Sequence, residues 1–206
     1  MARTVSEILH DAIETLRSAQ QGLDDLLQGP RERRLAGLRN AVVFGRAVTN
    51  VLENLRGVAP GFDEWYGPVA AELRDDPLLR WFYQLRSRIL KQGSLPISGS
   101  VMFIEVKLPR DVSKLPPAPP NAVGFFAGDA AGGMGWEVQI PGGPREKFYV
   151  EWGAPDIVTF ASVFSDAPDF HNGREVTNKS IENLTSLYIA RMRRVLDEAR
   201  LRFGQQ

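Results

Sequence analysis

The chain has 206 residues, 43% of them apolar and 24% charged, the composition of a globular protein long enough to bury a core and short enough for a single domain, 1–206, carrying an insertion. Lys and Arg together number 25, as do Asp and Glu, so no global positive field holds a polyanion and any nucleic-acid site must be local. Cysteine is absent and histidine occurs only as His10 and His171, which excludes disulfide and thiolate chemistry and argues against a zinc site, so no metal and no cofactor are expected.

From Val5 the apolar positions Ile8, Leu9, Ala12, Ile13, Leu16, Leu23, Leu26 and Leu27 recur at three and four, one side of a long helix that Gly29-Pro30 stops. No apolar run approaches the ~20 residues of a membrane span and the first residues lead straight into this amphipathic pattern, so a cytoplasmic location is expected. A second helix is predicted from Arg31 to Arg56, with Ala41, Phe44, Val48, Val51, Leu52 and Leu55 on one side and Arg39, Arg46, Asn50 and Glu53 on the other. Residues 61–74 form a shorter helical piece, bent or restarted at Pro68 because proline removes a backbone donor. A fourth helix starts with Asp76 as cap and Pro77 in its first position, and Gly93 ends it.

Composition then changes. Residues 101–108 are rich in β-branched and aromatic side chains and read as a strand, whereas the proline-rich stretch 115–120 is an extended connector. Gly124 to Gly135 is a flexible loop: it lacks the lysine-Ser/Thr ending of a phosphate loop and precedes a strand instead of a helix. Trp136, Val138 and Ile140, then Phe148, Val150 and Trp152, alternate with polar neighbours around Pro141-Gly-Gly-Pro144, which predicts a hairpin. After a further loop, Ile181, Leu184, Tyr188, Met192, Val195, Ala199 and Phe203 restore the helical period. The expected fold is mainly α: a bundle of four to five helices over 4–93 and 177–204, with a small antiparallel β insertion at about 97–153 between the fourth and last helices.

One residue breaks the pattern of the fourth helix. At about 100° per residue Leu78, Leu79, Phe82 and Ile89 share a face, and Arg86 projects only ~40° from Phe82. A guanidinium there needs a partner. The helix pair containing Arg39 to Asn50 and Leu85 to Gly93 resembles the HEPN superfamily of helical bundles, whose signature runs arginine, a polar residue, a few residues, then histidine. Arg86 matches the arginine, Ser87 the polar residue, and Lys91 stands in the place of the histidine. The resemblance implies a dimeric, metal-independent ribonuclease of toxin–antitoxin or phage-defence type, with RNA as partner and Arg86 and Lys91 as catalytic residues. Lysine, with a reference pKa near ~10.4, serves poorly as a base, so phosphate binding survives the departure better than cleavage does.

Two readings of Arg86 stay open. It contacts phosphate together with Lys91, supported by Arg46 and Asn50 in a polar pocket between helices, or it braces the second helix or the Asp63-Glu64 region through a buried ion pair. His171, beside Asp169 in a turn-like segment, would supply the missing acid or base if its loop folded over Arg86. The arginines of the last helix (Arg191, Arg193, Arg194, Arg200 and Arg202) read as a solvated face, with salt-sensitive RNA binding as the alternative. The leading functional expectation is an RNA- or nucleotide-interacting module. Its rival is a noncatalytic interaction protein that meets a protein partner through Trp136, Phe148 and Trp152, and a homodimer fits either.

Overall fold

The computed structural model describes residues 3–103, 117–129, 133–150 and 158–204, with the backbone alone at 99–103 and 158–161. It is mainly helical with small antiparallel sheets, and the chain divides into two compact units, 1–95 with 166–206, and 96–165.

The first unit is a bundle of five helices: α1 (Val5–Gln28), α2 (Arg31–Leu52), α3 (Phe62–Asp75), α4 (Pro77–Gln92) and α5 (Ile181–Phe203). α1 opens with a capping box, in which the Thr4 hydroxyl accepts from the Glu7 amide at 3.2 Å and the Glu7 carboxylate accepts from the Thr4 amide at 2.7 Å. α2 ends four residues earlier than its apolar period suggests, and the chain tightens into a 3-10 turn at Glu53–Gly57. α3 is continuous through Pro68 and does not restart there; the proline lies on the exposed side of the helix. The ends of α4 follow their local chemistry: the Asp76 carboxylate accepts from the Leu79 amide at 2.9 Å, Pro77 takes the first position, and Gly93 closes the helix with φ of 65°. Leu26, Leu38, Val42, Leu52, Phe82, Leu184 and Val195 are fully buried and form the middle of the bundle.

A short hairpin precedes α5. It consists of Phe170–His171 and Arg174–Glu175 (β6 and β7), joined at Asn172-Gly173, both with positive φ. Four residues before it, Asp166 accepts from the Trp81 indole at 3.2 Å and from Arg88 at 2.8 Å.

The second unit holds two sheets. β1 (Ile97–Phe103) pairs antiparallel with β5 (Val158–Phe164), so the insertion closes at Ser165 and extends beyond the expected 153. β2 (Ala122–Ala127), β3 (Met134–Gln139) and β4 (Arg145–Val150) form a meander. The predicted hairpin is β3–β4. The expected flexible loop is corrected in its first half: Ala122–Ala127 is a strand whose glycine and bulge at Gly124 mask the alternation. Residues 104–110, most of the predicted strand at 101–108, lie outside the described residues, as does Trp152.

Candidate functional site

α2 carries Arg46 and Thr49, three residues apart on one side of the helix, and Glu53 follows four residues on at the first position of the 3-10 turn. Opposite it stand Tyr66 of α3, Tyr83 of α4 and Tyr188 of α5, and together these residues line a cavity of about 250 Å³. Its floor is apolar, from Ala70, Leu73, Leu79 and Met192, and Arg74 and Arg80 stand at its edge. Arg74 is ion-paired with Asp75 at 3.1 Å.

One wall of the cavity depends on a glycine. A Cβ on Gly45 would come within 2.6 Å of the Tyr188 ring, so only glycine lets that ring lie against α2 next to Arg46. On its other side Tyr188 stacks on Phe82, centroids 4.3 Å apart and planes 9° from parallel. Tyr188 is 2% exposed, and its hydroxyl has no hydrogen-bond partner among the described residues. Burial pushes this phenol far above its ordinary range, while the Arg46 and Arg86 charges pull the other way. Two cations from two helices thus bear on one unpaired hydroxyl.

Arg46 also lies over the Tyr83 ring, 5.5 Å from its centroid, and donates to the Thr49 hydroxyl. Among the described residues it has no carboxylate partner. Nor does Arg86, whose Nε is buried without a hydrogen bond. Neither brace proposed for Arg86 forms: Asp63 is taken by Arg56 at 2.8 Å. On the opposite wall the Tyr66 hydroxyl donates to Glu53 Oε1 at 3.1 Å, and burial together with the Glu53 charge pushes Tyr66 up to about 12.

The other predicted site residues fall elsewhere. Asn50 is exposed, on the outer edge of the Arg46 stripe. Lys91 is exposed in the last turn of α4, about 140° round the helix from Arg86. His171 is a correction: its loop does not fold over Arg86. It is buried with Nδ1 3.1 Å from Asp76, and Asp169 pairs instead with Lys179. With Nδ1 donating to Asp76, its Nε2 accepts from the Asn172 amide at 3.1 Å. Asp76 also accepts from the Asn172 backbone amide at 2.7 Å, so it caps a helix and holds the hairpin at once. Arg86 lies ten residues further along α4, about 15 Å away by the helical rise.

The solvated reading of the last helix is corrected at Arg191, which is 4% exposed and forms two 2.8 Å bonds with Glu72 of α3. This pair ties α5 to α3. In the second unit Phe125, Trp136 and Phe148 stand side by side in cross-strand register, with Phe125 and Trp136 edge to face at 4.9 Å. Among the described residues no group of three or more His, Asp or Glu side chains could hold a metal ion, and no helix is long and apolar enough to cross a membrane.

Removing an unpaired buried hydroxyl should stabilise a fold. Tyr188→Phe is therefore expected to gain about 1 kcal/mol in denaturant unfolding; a loss of similar size would show that the hydroxyl has a structural partner.

Fold and site together define a helical-bundle protein with an arginine- and tyrosine-lined cavity between its helices. The sequence model described as Bacteriophage lambda protein ea47 matches residues 4–108, half of the chain, and the chain belongs to that family. The match spans α1 to α4, and with them every cavity residue except those of α5. No match is found among curated proteins or among solved structures.

Proposed function

We propose that this Ea47-family chain is a cytoplasmic HEPN-like module that binds a nucleotide, free or within an RNA, in the cavity between α2, α3, α4 and α5, as part of a defence or toxin–antitoxin function. The observation that carries the reading is a cavity that holds Arg46, a guanidinium without a carboxylate partner among the described residues, together with the unpaired Tyr188 hydroxyl, on which the Arg86 charge also bears; both groups are suited to phosphate oxygens. Tyr83 and Tyr66 add aromatic surface for a base. Among the described residues no histidine or other group of intermediate pKa stands beside Arg86, because His171 is committed to Asp76. The proposed activity is binding without cleavage.

The test is retention of a short RNA and of mononucleotides on wild-type, Arg46→Ala and Arg86→Ala protein in chelator, at low and moderate salt. Retention that falls with salt and drops about tenfold in each variant, with unchanged unfolding curves, is the expected result. Retention that ignores both arginines contradicts the proposal, and so does an Arg86→Ala protein that fails to fold.

A second reading, a noncatalytic protein-interaction role, is favoured by one observation. In the aromatic row across the meander, Phe125 is 37% and Phe148 53% exposed, and such side chains at a sheet surface suit a protein partner.

A further inference from the structure

We infer that the cavity selects among bases and prefers a guanine nucleotide, with Glu53 reading the base-pairing edge. The inference rests on the reading that the cavity takes a nucleotide. Arg46 on α2 and Glu53, the first residue of the 3-10 turn that follows, line the same cavity. A phosphate held by Arg46 leaves its base to the rings of Tyr83 and Tyr66 and to Glu53, all of which line the same cavity.

Glu53 is the sole carboxylate among the residues that line this cavity. An ionised carboxylate only accepts hydrogen bonds. Its Oε1 takes the Tyr66 hydroxyl at 3.1 Å, which fixes the group's orientation, and Oε2 has no partner among the described residues. Of the four RNA bases, guanine alone offers two adjacent donors, N1–H and the 2-amino group, to such an acceptor. Adenine and cytosine pair one amino donor with a neighbouring ring-nitrogen acceptor, and uracil flanks its one N–H with two carbonyls. Each of these three turns at least one lone pair toward the Glu53 oxygens, which repel it. An acceptor left facing an acceptor loses affinity more surely than a good pair gains it.

The experiment is equilibrium titration of the full chain with the 5′-monophosphates of guanosine, inosine, adenosine, cytidine and uridine, for wild type and Glu53→Gln. Wild type is expected to bind the guanosine nucleotide about tenfold more tightly than the adenosine, cytidine or uridine nucleotides. Inosine, which lacks the 2-amino group, is expected to fall between. Glu53→Gln keeps an oxygen for Tyr66 but presents a mixed donor–acceptor edge, so the preference collapses to within about twofold while phosphate-dependent binding persists. Equal binding of all five by wild type overturns the inference and leaves the nucleotide reading standing, as does a guanine preference that survives in Glu53→Gln. Binding of none overturns both. Should the variant fail to fold, the five-nucleotide series on wild type still decides.

Discussion

Phe82→Ala is expected to destabilise the bundle by about 4 kcal/mol, the upper part of what a single side chain contributes. Phe82 is fully buried and stacks face to face on Tyr188, so the truncation loses its transfer free energy, opens a void and removes an aromatic pair together. The effect reaches the cavity as well. Tyr188 is held between Phe82 and the glycine-bared surface of α2, and without Phe82 its ring is free to drop toward the void and carry its hydroxyl away from Arg46 and Arg86. Denaturant unfolding measures the first effect, and nucleotide titration under conditions where the variant is still folded measures the second. Phe82→Leu should recover most of the stability and little of the binding, because it fills volume without restoring the flat contact.

Asp76→Ala is the second large effect, about 3 kcal/mol. The substitution removes the cap of α4, worth ~1 kcal/mol, and it leaves the Asn172 amide and the buried His171 ring without their acceptor, each a further cost of about 1 kcal/mol. The pH dependence follows from the carboxyl's environment. Burial alone pushes Asp76 up, but the amides of Asn172 and Leu79 and the His171 ring outweigh it, and the net direction is below its ordinary value of 3.8. A carboxyl depressed in the folded state contributes stability that is present above its unfolded value and lost as pH falls through the folded one. Thermal midpoints of wild type and variant should therefore differ by a constant amount at neutral pH and converge only below about pH 4. A gap that closes between pH 5 and 7 instead would contradict this assignment to the Asp76 carboxyl.

Local chemistry made parts of this fold legible. Asp76, Pro77 and Gly93 bound α4 because capping, proline at the first turn and a left-handed glycine act within a few residues. The β3–β4 hairpin followed from alternation on both sides of Pro141-Gly-Gly-Pro144. What periodicity cannot supply is the neighbour across a helix interface. It put Arg86 on an apolar face, but which groups surround its guanidinium depends on α2 and α5, distant in sequence. The same reasoning, applied to α5, points at Arg191, three residues after Tyr188 and four before Val195, and that residue is the true buried brace, to Glu72. Asn172-Gly173 was a readable turn signal. Tyr66 against Glu53 and the approach of Tyr188 to Gly45 were not readable, since each joins helices whose packing angle no local pattern sets. Arg46 was therefore legible as a candidate, whereas the tyrosines that make a cavity around it were not.

The chain has four tyrosines. Tyr66, Tyr83 and Tyr188 line the cavity and Tyr149 lies in the β2–β3–β4 meander. Ring-labelled tyrosine resonances followed by NMR during titration with guanosine 5′-monophosphate test the central claim most directly. The account predicts that the signals of Tyr66, Tyr83 and Tyr188 shift together and saturably, that Tyr149 stays in place, and that Arg46→Ala moves the midpoint of the shifts about tenfold higher in nucleotide. Saturable binding that moves only Tyr149, or that leaves all four unchanged, would contradict it.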